Sequence, residues 1–109
     1  MTETVFVPFE NRLYAVRPDM RLIAEIESEL TGLPALLTRF HENQWHVSDL
    51  VTLIQMFLQS SGRTVDYHTL GNAMLASGLT PYIRSATQFL SAALKERHIT
   101  AYSFRKKTA

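Results

Sequence analysis

Between Ser48 and Ser60 the chain carries one charge, Asp49, while Leu50, Val51, Leu53, Ile54, Met56, Phe57 and Leu58 are all apolar. Wound at 3.6 residues per turn, those side chains cover most of the circumference of a helix. A helix that is apolar nearly all round has little face to offer water, so it belongs at the centre of a domain with other elements wrapped around it. Asp49 falls near its N-terminus, where the helix dipole favours an acid. Gly62 stops it.

The flanking segments supply the wrapping. VFVPF and RLYAVR are short β-prone runs separated by Glu10 and Asn11, the pattern of a small β-hairpin or of one strand with an arm. Pro8 confines the first run to an edge position, because proline cannot donate to a ladder. Pro18 and Asp19 open a helix whose stripe is Leu22, Ile23, Ile26 and Leu30, with Glu25, Glu27 and Glu29 on much of the remainder. Gly32 is placed at its C′ position. A short helix starts near Pro34 and buries Leu36, Leu37 and Phe40, and HENQWH follows as a polar connection.

Beyond Gly62, Asp66 caps a further helix, and Val65 and Leu70 have the spacing of a hydrophobic staple. That helix ends at Gly78. The last one takes Thr80 as cap and Pro81 as first helical residue. It repeats Tyr82, Ile83, Ala86, Phe89, Leu90, Ala93 and Leu94 at helical spacing to about His98. The expected fold is mainly α, a compact bundle of about five helices with a short N-terminal β-hairpin or strand. It is expected as one domain over residues 1–98, with a β arm over 1–17 and a basic, aromatic tail over 99–109.

Composition narrows the function. A chain of 109 residues holds one core. Its charged fraction is 19%, below the roughly 25% of an average globular protein, which gives a modest push towards a surface partly hidden against a partner. A net charge of +1 creates no field to attract nucleic acid or anionic lipid. The absence of Cys removes disulfides, thiol catalysis and thiolate metal sites, and fits a reducing cytosol. MTETVFVPFENR lacks the form of a secretory signal, and DLVTLIQMFLQ falls short of the ~20 residues that span a bilayer. A soluble cytoplasmic protein is expected.

The polar residues assemble no recognisable chemistry. His41 and His46 miss the i, i+4 spacing that puts two ligands on one helix face, although Glu42 and Asp49 stand near them. A pocket joining His41, His46 and Asp49 is the one arrangement that would revive an enzyme reading. His68 and His98 sit near helix ends in surface roles. Alternate positions on a helix point some 200° apart, so Glu25, Glu27 and Glu29 do not converge. Ser60-Ser61-Gly62 is a helix end, with no strand before it to make a nucleophile elbow. Gly71, inside a helix, signals a close helix–helix contact. The helix pair around Gly62 has the outline of a helix-turn-helix, but YHTLGNAMLASG contains no Lys or Arg for phosphates or guanines. No catalytic residue, cofactor or metal ligand is expected, and the protein is read as a non-enzyme that binds other proteins.

The order of the pieces resembles the phage tail-assembly chaperone family, also found in gene transfer agents. The matching pieces in NRLYAVRPDMRLIAEIESELTGLPALLTRF are Arg17-Pro18, the helix from Leu22 to Leu30 with Gly32, and Leu36-Leu37-Thr38-Arg39-Phe40. In the second half Asp49-Leu50-Val51, Val65 to Gly71, and Leu79 to Leu94 also fit. The resemblance covers roughly residues 10–98 and rests on hydrophobic pattern; the VFVPFE arm and the basic tail depart from it. It implies a cytoplasmic protein of a phage or prophage that binds tail proteins, the tape-measure protein and the tail tube protein, during assembly in the bacterial host. Self-association is compatible with that role. The alternative is a small regulatory or nucleic-acid-binding helical domain of a mobile element. Aromatic residues outside the periodic core are favoured at interfaces. The candidate contact residues are therefore Phe6, Phe9, Trp45, Tyr102 and Phe104, with the neighbouring cations Arg105, Lys106 and Lys107. Trp45 and Phe104 have a competing role as caps folded back on the core, while Phe6 and Phe9 either cover the underside of the hairpin or offer an edge for strand addition.

Overall fold

The computed structural model describes residues 4–95. An antiparallel hairpin of β1 (Val5–Phe9) and β2 (Arg12–Val16) is followed by five helices. These are α1 (Met20–Glu29), α2 (Leu33–His41), α3 (Val47–Ser60), α4 (Tyr67–Ser77) and α5 (Thr80–Leu94). The mainly helical class with an N-terminal hairpin agrees with the sequence reading.

The apolar segment is the central helix. Leu50, Val51, Leu53, Ile54, Phe57 and Leu58 of α3 are buried, and α3 touches α1, α4, α5 and both strands. Phe57 meets Phe89 of α5 with ring centroids 4.5 Å apart, a separation at which aromatic pairs add to simple burial. Along its middle, Thr52, Gln55 and Met56, with exposed Gln59, leave a partly open stripe, which forms a shallow groove with Glu25 and Glu29 of α1.

Local chemistry sets the boundaries. The Asp19 carboxylate accepts from the Leu22 amide at 2.9 Å and starts α1. Gly32, expected at the end of α1, belongs instead to the start of α2. The chain leaves the helical conformation at Leu30, and Gly32 takes φ −58 and ψ 144 at the N-cap of α2. With φ negative, no left-handed turn is required there. The glycine has no side chain to cap α2, and Glu27 reaches across to accept from the Leu33 amide at 2.8 Å. One member of the acidic trio therefore joins two helices.

At the end of α3, Gly62 has φ 96, the Gly62 amide donates to the Gln59 carbonyl and the Arg63 amide to that of Leu58. This is the Schellman arrangement. The Asp66 carboxylate accepts from the Thr69 amide at 3.1 Å, while Val65 and Leu70 are both buried. The start of α5 differs by one residue from expectation: Leu79 is the N-cap, so Pro81 is second and not first. The Leu79 carbonyl accepts from both the Tyr82 and Ile83 amides, which draws the first turn back by one position. Lys95, in the left-handed region, closes α5 at Leu94. The expected continuation to His98 and the tail over 99–109 lie outside the described residues.

Candidate interaction surface

The two-residue turn Glu10-Asn11 fixes the hairpin. Both residues have positive φ, 51 and 64, the conformation of the turn that matches the twist of paired strands. Glutamate is uncommon there, and Arg63 holds it. The Arg63 guanidinium donates to the Glu10 carboxylate at 2.7 Å and to the Tyr14 hydroxyl at 3.0 Å, and lies 5.1 Å from the centroid of the Phe9 ring. The hydrogen bonds to Glu10, then to Tyr14, raise its already high pKa, so it stays cationic.

The turn pairs Phe9 with Arg12, Pro8 with Leu13, Val7 with Tyr14, Phe6 with Ala15 and Val5 with Val16. Side chains alternate between faces, so Val5, Val7, Phe9, Tyr14 and Val16 point inward, and all are buried. The Phe6 carbonyl accepts from the buried Ser85 hydroxyl of α5 at 2.8 Å and so points away from β2. Phe6–Ala15 and Pro8–Leu13 are then the non-hydrogen-bonded pairs. The missing N–H of Pro8 takes nothing from the ladder.

Those same two pairs make up the outward face. A solvated hairpin face is normally polar; here it is Phe6, Pro8, Leu13 and Ala15. Phe6 is 52% exposed and Leu13 68%. Burying the area that either still exposes against a partner is worth about 1–2 kcal/mol. Shallow grooves border this face, one towards Gln88 and Ser91 of α5 and one towards Ala73, Ser77 and Tyr82 at the α4–α5 corner.

The candidate contact residues separate accordingly. Phe6 lies on the outward face. Phe9, only 3% exposed beneath Arg63, covers the underside of the hairpin, the second role expected for it. Trp45 is half-buried and stacks on Phe40 at 5.8 Å with the rings 16° from parallel, so it closes the end of α2 against the core. Tyr102, Phe104, Arg105, Lys106 and Lys107 lie outside the described residues. The sequence reading missed Pro8, Leu13 and Ala15. The signal was present: a two-residue turn at Glu10-Asn11 sets which positions share a face.

The described histidines, His41, His46 and His68, are all exposed. The His46 Nδ1 is 3.8 Å from Asp49, which also pairs with Arg39 at 3.6 Å. Among the described residues no group of three or more His, Cys, Asp or Glu is placed to hold a metal ion. The exposed positions of α4, His68, Asn72, Leu75 and Ala76 among them, carry no Lys or Arg. Gly71 does face α3, as its place inside a helix suggested: a Cβ there would lie 3.6 Å from Val51. No described helix is long and apolar enough to cross a membrane.

No curated protein and no solved structure matches the chain. A family model described as phage tail tube protein, GTA-gp10, matches residues 3–96. The match includes the hairpin arm, which the sequence resemblance had left out, and all five helices. With the whole of the described fold inside it, the chain belongs to the phage tail tube protein family GTA-gp10.

Proposed function

We propose that the protein is a tail-assembly chaperone: a cytoplasmic, non-enzymatic domain that binds the tape-measure protein and the tail tube protein while the tail is built. The observation that carries this reading is the apolar outward face of the hairpin. Phe6, Pro8, Leu13 and Ala15 occupy every outward position between Thr4 and Arg17, where water-facing residues would serve a free monomer better. Membership of a tail family supports protein partners in the same assembly. A small face of this kind suits a partner that must later be released: one contact is weak, and many copies along an elongated partner hold it by avidity.

Co-expression with the tape-measure and tail tube proteins of the same particle, followed by solubility and pull-down assays, tests the proposal. The expected result is that the tape-measure protein becomes soluble and co-purifies only when this protein is present, and that removing residues 99–109 weakens capture. If neither protein co-purifies and tape-measure solubility is unchanged, the chaperone reading is wrong.

A further inference from the structure

The two edges of the hairpin are treated differently. The outer edge of β1 lies against α5, where Ser85 takes the Phe6 carbonyl, and it carries Pro8. Both are devices that stop further strand pairing. The outer edge of β2 has neither. Its sequence, Arg12-Leu13-Tyr14-Ala15-Val16, contains no proline and no bulge in the register; its one charge, Arg12, shares the inward face with Phe9 and lies 5.4 Å from the centroid of the Tyr14 ring. Leu13 and Ala15 occupy non-hydrogen-bonded pairs, so their N–H and C=O groups point away from β1. Leu13 and Ala15 are both exposed, and no described strand lies on the side of them away from β1.

We propose that this edge pairs with the same edge of a second copy, antiparallel and centred on Tyr14, to form a four-stranded sheet. In that register Leu13 of each copy faces Ala15 of the other, and the two pairs exchange about four backbone hydrogen bonds. On the outward face, Phe6 and Ala15 of one copy then line up with Leu13 and Pro8 of the other, a large residue beside a small one across the new junction. Arg12 falls opposite Val16 and Arg17 opposite Asn11, so no like charges meet directly. This self-complementarity selects a second copy over a foreign strand as the occupant. The area is small, below the ~1,200 Å² of a stable interface, so the dimer forms only at high protein concentration. The proposal does not depend on the chaperone reading.

The chain has no cysteine, which allows a register-specific test. Leu13→Cys and Ala15→Cys, mixed under mild oxidation, place sulfur atoms on directly opposed residues whose Cα separation of ~5.5 Å suits a disulfide. The expected result is that the mixture yields disulfide dimer roughly ten times faster than either variant alone, where equivalent residues are diagonal. Sedimentation velocity on the unmodified protein should show mass rising with concentration between about 10 μM and 1 mM, and Leu13→Lys should abolish the rise with unchanged circular dichroism. A sedimentation coefficient that stays monomeric over that range, or cross-linking equal in all three samples, overturns the proposal. So does an edge that captures a tail protein but never its own copy.

Discussion

A methyl group added at position 71 would meet Val51 Cγ1 and Cγ2 at 3.6 Å, ordinary van der Waals distance. Gly71 therefore sits near α3 without needing to be glycine, and inside α4 it carries the entropic cost of glycine in a helix. Gly71→Ala should raise stability by about 0.5–1 kcal/mol in urea unfolding. Gly71→Leu should lower it by roughly 1–3 kcal/mol, because the larger side chain must displace Val51. At Asp66 the effect is one of pH. The Thr69 amide holds the folded carboxylate below its ordinary pKa. A depressed carboxylate stabilises the fold at pH values above its unfolded value of ~3.9, and that contribution is lost as pH falls through the lower folded value. Asp66→Asn keeps a capping oxygen but cannot titrate. Acid unfolding curves should show a shallower loss of stability below about pH 4 in this variant; identical curves would remove Asp66 from the acid response.

At the scale of elements, the hairpin is held by few polar ties, and Ser85 is the most exacting. The residue is 3% exposed, and its hydroxyl donates to a strand carbonyl 79 positions away. Ser85→Ala leaves the Phe6 carbonyl without that partner and should cost about 1–3 kcal/mol. Amide exchange should quicken at Val5 and Val7 more than in α3. Equal acceleration in both would mean that the bond serves the whole bundle and not the hairpin. Ser85 also marks where sequence reasoning stops. Local signals gave α3, the Asp66 cap and the Glu10-Asn11 turn, since each depends on neighbours within a few positions. Ser85, Glu27 and Arg63 act across longer separations, and nothing in their surroundings announces it. Gly32 was misplaced because one glycine between two helices fits the end of the first as well as the start of the second; only backbone angles decide. Phe6 and Phe9 looked alike until the register turned one outward and the other in.

For the whole molecule, the arrangement of the hairpin separates what folds the chain from what it presents. The inward residues of β1 and β2 join the cluster around α3, whereas Phe6 and Leu13 hold most of their exposure after folding is complete. Polar replacements at these two positions therefore remove little that stabilises the domain. Surface changes of this sort usually stay within about 0.5 kcal/mol. The double variant Phe6→Ser, Leu13→Ser should unfold at nearly the same urea concentration as the parent chain and be more soluble. It should also lose most of its capture of tail proteins in the co-expression assay. Serine leaves the backbone amides of β2 in place, so strand pairing between copies should persist, weakened only by the lost side-chain contact. A variant that is destabilised by several kcal/mol would place these side chains in the fold instead. One that keeps both stability and capture would move the binding surface away from the hairpin, towards the grooves beside α5 or the region beyond Lys95.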